Sequence, residues 1–205
     1  MKTRDPYHLA LTALARFAGA GRFGWGMPLV TTAVAEELGL SPTPVREALA
    51  RLAGEGIIEH RPGRGYFAPS PSSSDIIELY DLHRRLTLWA LIGSGSHDIW
   101  PVVEKTGAPQ ERVERLFAQL VEVSGHGALI RAHRRTAAQL RPIRAVEDRV
   151  APLSHEVVDH MEGLLAQVRL DLLASEIETY HNERIIHAQP VFAMMRKSAE
   201  SIEQI

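Results

Sequence analysis

Seven residues, Ala68-Pro69-Ser70-Pro71-Ser72-Ser73-Ser74, divide this chain into two parts that obey different local rules. Two prolines and four serines in so short a span continue neither a helix nor a central strand. Before them glycine and proline recur and the apolar runs are short. After them come long segments with helical periodicity. The expected organisation is a small module over residues 1–69, a linker over 70–74 and a larger body over 75–205.

The length allows one large domain or two small ones. Of 205 residues, 45% are apolar and 23% charged, a globular mix that excludes global disorder. There is no cysteine, which excludes disulfide frameworks, thiolate zinc sites and cysteine nucleophiles. No apolar run approaches the roughly 20 residues of a membrane span. The stretch from Leu9 to Ala20 is interrupted by Thr12 and Arg16 and lacks a signal-peptide layout. A cytoplasmic protein without membrane contact is expected. Residues 1–70 hold eight basic and six acidic side chains, so the module is mildly basic and the body acidic. That balance permits nucleic-acid binding.

Within the module, Leu9, Leu11, Leu14, Ala15 and Ala18 predict a helix over residues 7–18. A glycine-rich loop follows, to Pro28. Thr31 or Thr32 is the expected cap of a helix over 33–38, and Gly39 its end. Ser41 is the expected cap of a third helix, with Pro42 and Pro44 in the first turn, where proline is tolerated. Val45, Ala48, Leu49 and Leu52 fall at i, i+3, i+4 and i+7 and mark its buried face. Gly54 and Gly56 end it. Ile57-Ile58-Glu59 is expected as a strand, Arg61 to Gly65 as a turn, and Tyr66-Phe67-Ala68 as the return strand.

The body reads as all helix. Helices are expected from Asp75 to Ile92 with Ser74 as cap, from Pro109 to Val123, and from Gly127 onward with a bend at Pro142. Two more run from a Ser154 cap to Leu170 and from Leu172 to His187. An antiparallel bundle buries such faces. The fold class is mainly α: an amino-terminal winged helix-turn-helix followed by a helical bundle.

A helix, a short turn, a second helix and a two-stranded hairpin place the second helix in a DNA major groove, first turn leading. If Val45, Ala48, Leu49 and Leu52 face inward, Thr43, Arg46, Glu47 and Arg51 face outward. Arg46 is the candidate for a base edge or phosphate. Ser41 and Thr43 stand on the leading turn, where free N–H groups and the helix dipole favour phosphate. In the hairpin, Gly63 and Gly65 let the backbone approach the duplex, and Arg64 between them suits the minor groove. The candidate DNA contacts are therefore Ser41, Thr43, Arg46, Arg51, Arg64 and Gly65. The plainer alternative is a solvated helix beside an ordinary hairpin.

The run from Val34-Ala35-Glu36-Glu37-Leu38-Gly39-Leu40-Ser41 through Pro42-Thr43-Pro44-Val45-Arg46-Glu47-Ala48-Leu49 resembles the GntR family of bacterial transcription regulators. So do Glu55-Gly56-Ile57-Ile58 and Gly63-Arg64-Gly65-Tyr66-Phe67. The likeness covers about residues 8–69. The family has arginine where this chain has Pro42, and a second family arginine falls near Thr32. The body resembles, more distantly, the FadR-type effector domain of the all-helical FCD class, through residues 75–82 and 116–126 and the His160, Asp171, His181 series. The segment between Ile92 and Pro109 looks about one helix short.

That resemblance implies a metal held by one Asp and three His beside a pocket for a small carboxylate. Here the Asp position is Val113 and the first His position Phe117, and neither binds a metal. His160 and His181 remain, while His83 and His126 occupy positions that line the family pocket. These four histidines form a candidate cluster for an effector or for a divalent metal, zinc or nickel. The alternative is four unrelated surface or hydrogen-bonded histidines. Arg131, Arg134, Arg135, Arg141 and Arg144 read as a solvated basic face.

No enzyme is expected. His155 and His160 are five residues apart, about 140° around a helix, so the HExxH geometry is absent. The resemblance implies a homodimer on a palindromic operator, its DNA affinity shifted by a small organic acid or related metabolite, and most commonly a repressor. The rival reading is a winged-helix protein-interaction module carrying a degenerate body that senses nothing.

Overall fold

The computed structural model describes residues 5–93 and 105–202. The stretch that the sequence reads as one helix short falls largely outside them. Helix α1 (Pro6–Gly19) opens on Asp5, whose carboxylate accepts from the Tyr7 N–H at 3.0 Å. Its buried face is Ala10, Leu14, Phe17 and Ala18; Leu9, expected in the apolar stripe, is exposed. A two-residue strand β1 (Pro28–Leu29) then leads into α2 (Thr31–Leu38). Both Thr31 and Thr32 lie inside α2 and the cap position is Val30, without a side-chain bond, which corrects the expected threonine cap. Gly39, left-handed at φ 65°, ends α2 as its spacing predicts.

Helix α3 (Pro42–Gly54) buries Val45, Ala48, Leu49 and Leu52. The hairpin that follows is β2 (Glu59–Arg61) and β3 (Gly65–Phe67). The expected strand at Ile57 and Ile58 is displaced: these two side chains are buried in the module core, and pairing starts at Glu59 opposite Phe67. Pro62 and Gly63 (φ 72°) make the turn, closed by the Arg64 N–H on the Arg61 carbonyl at 2.9 Å. β1 adds to the far side of β3, an unanticipated third strand, in the order β1-β3-β2, all antiparallel.

The body starts earlier than expected. Helix α4 (Ser73–Gly93) begins within the predicted 70–74 linker, because Ser72 rather than Ser74 caps it. Ser72 Oγ accepts from the Asp75 N–H at 3.2 Å while Asp75 Oδ2 accepts from the Ser72 N–H at 2.8 Å, a reciprocal capping box. These bonds hold the Asp75 carboxyl below its ordinary value. Ile76, Tyr80, His83, Thr87 and Ala90 run down the buried side of α4. Around it pack α5 (Pro109–Val123), α6 (Gly127–Glu147), α8 (Leu170–Ile186) and α9 (Ala188–Ile202). α6 passes through Pro142 as one uninterrupted helix. α7 (His155–Ala166) is capped by Ser154 as expected, but ends at Ala166 instead of Leu170. α9 extends the bundle beyond the helix that was expected to be its last, and buries Ala188, Val191 and Met195 against α4 and α6.

A buried ion pair ties α5 to α7. Arg112 Nη2 reaches Glu162 Oε2 and Asp159 Oδ1, each at 2.5 Å, and Arg112 and Glu162 are both buried. These carboxylates raise the Arg112 pKa, with the Glu162 bond the larger cause. Glu162→Ala is expected to cost about 3 kcal/mol in urea denaturation, because the guanidinium is left buried with its inner partner gone. Joint replacement by Arg112→Met and Glu162→Leu is expected to recover most of that loss, since no charge then remains to be solvated.

Candidate nucleic-acid interface

Residue spacing alone orients α3. Its four apolar residues seat on α1 and α2, so Ser41, Thr43, Arg46, Glu47 and Arg51 all face outward. No hydrogen bond or ion pair among the described residues engages Arg46, and its guanidinium is available to a ligand. Arg51 is differently placed: its Nε donates to Glu55 Oε1 at 2.5 Å, so a phosphate contact has to displace that carboxylate.

The leading turn of α3 departs from expectation in one respect. Ser41 stands at the cap position with φ −75° and ψ 157°, yet its hydroxyl makes no capping bond. A capping serine bonds the N–H of the second or third helical residue, and the third is Pro44, which has none. Pro42 removes another. The expected row of free N–H groups is thereby reduced chiefly to that of Thr43, and the exposed Ser41 and Thr43 hydroxyls are the remaining polar groups of this turn.

The wing presents Arg64 at its exposed tip, next to Gly65 at φ 95°. Its base is rigid. Arg61 lies 4.2 Å over the Phe67 ring and donates to Glu59, whose other oxygen accepts from the Ser70 N–H at 3.1 Å. Among the six candidate DNA residues, Ser41, Thr43, Arg46 and Arg51 share the outer face of α3, and Arg64 and Gly65 form the wing.

The four candidate histidines do not converge. His83 on α4 and His181 on α8 meet in the interior, with His83 Nδ1 2.8 Å from His181 Nε2. His126 is exposed at the start of α6. His160 is exposed on α7, where its Nε2 faces Glu176 Oε1 at 3.7 Å. Among the described residues no group of three or more His, Asp or Glu is arranged to hold a metal. The implied zinc or nickel site does not fit this chain. Val113 and Phe117 stand where carboxylate and imidazole are needed, both fully buried, and the Phe117 ring packs 5.3 Å from His181 and 5.6 Å from His83.

The third interior imidazole is His133, on α6. Its ring centroid lies 4.5 Å from that of His83. The signal was present: Leu129, His133, Thr136, Leu140, Arg144 and Glu147 recur along α6 at helical spacing and are all buried. Arg144 therefore leaves the exposed basic face to which it was assigned, while Arg131, Arg134, Arg135 and Arg141 remain exposed. His181 Nδ1 lies 2.6 Å from the Ile177 carbonyl, so it donates there, and Nε2 accepts from His83 Nδ1. Burial, followed by the nearby Arg144 charge, drives His83 well below its ordinary pKa and His133 down to about 4. Burial pushes His181 down to about 3, against its bond to Ile177. All three are neutral at pH 7. Tyr80 donates to Glu147 Oε2 at 2.6 Å, and burial raises both of their pKa values.

α6 also carries the contacts to the module. Gln139 Nε2 donates to the Gly56 carbonyl at 3.0 Å. Gly56 has φ 72°, a conformation that favours glycine, and a Cβ there would lie 2.5 Å from Gln139 Nε2 and push that amide off the Gly56 carbonyl. A Cβ on Gly19 would come within 2.8 Å of the Arg141 side chain.

Residues 19–67 match the gntR family of bacterial regulatory proteins. The match spans α2, α3 and the wing, so the likeness to this family lies in the amino-terminal module. A curated relative, an uncharacterized HTH-type transcriptional regulator of Agrobacterium vitis, is 41% identical over 49 residues, 24% of this chain and 29% of that protein. The chain thus matches under a third of that relative's length. A crystal structure of a putative transcriptional regulator GntR from Rhodococcus sp. RHA1 superposes with TM-score 0.74 at 19% identity, over 89% of this chain and 96% of the other. E. coli McbR/YncC gives 0.68 at 18% identity, over 90% and 97%. At these identities the likeness is one of fold, and it takes in the helical body as well as the module.

Proposed function

We propose that this chain, with its gntR-type module, is a sequence-specific DNA-binding transcriptional regulator, a cytoplasmic repressor that binds a palindromic operator as a homodimer. Residues 1–69 read DNA, the FCD-like body that starts with α4 at Ser73 dimerises and senses a small molecule, and residues 70–72 join them. The observation that carries this reading is the outer face of α3. It holds an unengaged arginine, Arg46, and two hydroxyls, on a helix whose opposite face is wholly buried. A protruding arginine-tipped wing beside it supplies the second groove contact. An effector changes DNA affinity only if it binds the two arrangements of the module pair unequally.

The test is an operator titration at increasing salt. Phosphate contacts release counterions, so affinity falls steeply with salt. A flat salt profile with no duplex preference supports the protein-interaction alternative instead. Among the described residues no helix is long and apolar enough to cross a membrane.

Dimerisation has a candidate surface on α4. Leu82, Trp89 and Ile92 share one side of that helix at 45%, 65% and 81% exposure, opposite the residues buried in the bundle. Two copies of such a stripe related by a two-fold axis are self-complementary. Trp89→Glu is expected to shift the purified protein from dimer to monomer in light scattering and to weaken operator binding, without lowering the thermal midpoint of the monomer.

A further inference from the structure

The segment that joins the module to the body is bonded along its length. From Ala68 to Ser72 only Ala68, Ser70 and Ser72 carry a backbone N–H, because Pro69 and Pro71 have none. Ala68 donates to the Met27 carbonyl at 2.9 Å, Ser70 to Glu59 Oε1 at 3.1 Å and Ser72 to Asp75 Oδ2 at 2.8 Å. The Pro69 carbonyl accepts from the Gly26 N–H at 3.2 Å. These bonds continue the β1–β3 ladder on one side and open α4 on the other. A flexible linker leaves such groups to water, and proline further fixes its own φ.

The loop between α1 and β1 bridges the same joint. It starts out anchored on the module: Arg22 Nη2 pairs with Glu37 Oε1 of α2 at 2.5 Å, and its guanidinium lies 4.3 Å over the Phe17 ring of α1. Trp25 then leaves the module. Its half-buried side chain packs on the body cluster that Ile76, Tyr80, Leu140, Ile143 and Val191 form between α4, α6 and α9. Among the described residues it is the module side chain that joins that cluster. Trp25, Pro69 and Pro142 line one narrow crevice, so loop, linker and α6 meet at this ring. A large aromatic ring carries much of the energy of any contact it enters. The remaining polar ties across the joint, Gln139 to Gly56 and Glu59 to Ser70, are single hydrogen bonds of modest net worth.

We propose that Trp25 is a latch that holds the amino-terminal module at one orientation on the body, so that a dimer accepts one half-site spacing. The spacing rests on the regulatory reading above; the latched joint does not. In a two-fold dimer joined through the body, the separation of the two copies of α3 is set by the angle of each module on its own body. A latched joint makes that separation a constant. Removing the indole leaves the module on its hydrogen bonds and lets it swing. The module itself keeps its core, because Ala10, Leu14, Val45, Leu49 and Leu52 pack there without Trp25.

The chain has no cysteine, so two introduced ones label it at known points. Glu36 on α2 and Glu178 on α8 are both exposed, and Glu36→Cys with Glu178→Cys takes one spin label on the module and one on the body. Double electron–electron resonance on the full chain, diluted into unlabelled protein and without DNA, reads the distance between them. One narrow distribution is expected, at least about twofold broader in Trp25→Ala. A broad distribution in the parent chain, or an unchanged width in Trp25→Ala, overturns the latch. Leu79 shares a cleft with Trp25 on the body side. Should Trp25→Ala fail to fold, Leu79→Ala decides the matter: broadening is expected there too, and an unchanged width overturns the latch. The DNA arm uses an operator with two base pairs inserted between its half-sites. The insertion is expected to weaken the parent about tenfold or more and Trp25→Ala by much less. A parent indifferent to the insertion, or equal losses in both, overturns the spacing role. Absence of operator binding altogether defeats the regulatory reading, while the distance measurement still decides the latch.

Discussion

Between about pH 7.5 and pH 5 the protein is expected to lose on the order of 4–6 kcal/mol of folding stability. The cause is the stack of His83, His133 and His181. In the folded chain these imidazoles are held neutral by burial, His133 down to about 4 and His181 to about 3. In the unfolded chain they titrate near 6.5. Below that pH the unfolded state binds protons that the folded state refuses, so stability falls as pH falls. Each imidazole contributes roughly 1.4 kcal/mol per pH unit until its folded pKa is reached. Glu147 acts in the opposite direction. Its raised carboxyl takes up a proton in the folded state first, and this offsets part of the loss. Domains of this size have about 5–15 kcal/mol in reserve, so the loss removes a large fraction of it and lowers the urea midpoint strongly at pH 5. Urea denaturation at stepped pH checks the slope. His133→Phe keeps a ring against His83 and removes an imidazole whose Nε2 has no hydrogen-bond partner. It is expected to abolish about a third of the acid loss with little change at pH 7.5. A pH-independent stability over this range contradicts the neutral imidazole stack.

Arg46→Ala is expected to eliminate operator selection while leaving the fold intact. Its side chain is exposed and has no hydrogen bond or ion pair among the described residues, so the thermal midpoint should not move. An arginine seated on a guanine edge contributes about 10–100-fold in discrimination, and this chain has fewer substitutes than usual. Pro42 stands where the resemblance implies another arginine, and Pro42 and Pro44 strip two N–H groups from the leading turn. The loss should therefore approach the level of binding to unrelated duplex, measured by fluorescence anisotropy against competitor DNA. Arg64→Ala, at the wing, should weaken binding more evenly across sequences. An unaltered footprint for Arg46→Ala moves the reading surface away from α3.

How far the sequence carried these conclusions differs between the two halves. In the module, function and fold use the same short-range signals. Val45, Ala48, Leu49 and Leu52 orient α3, and Gly39, Gly54 and Gly56 punctuate it, so the outward face of Arg46 followed from spacing. What failed there was local chemistry: Ser41 cannot cap onto a proline, and Ser72 reached Asp75 before Ser74 did. β1 is two residues long and exists only because β3 offers it an edge. In the body, α7 stops early without glycine or proline to announce it. Val168 takes a left-handed φ of 54°, and Arg169 and Val168 donate back to Leu164 and Leu165. α9 has a start signal in Pro190, within its first turn.

The histidines show where sequence information ends. Side chains from α4, α6 and α8 meet through packing of segments up to a hundred residues apart, and no spacing rule joins such segments. Local patterns, set by backbone hydrogen bonding and by the helical repeat, determined by themselves that this chain carries a winged helix followed by helices, and which face of α3 is free. Only the tertiary packing decided that His83, His133 and His181 meet while His126 and His160 stay in water. It also decided that Arg144 is sealed inside, 3.4 Å from Glu114, because burial depends on what every other element leaves uncovered.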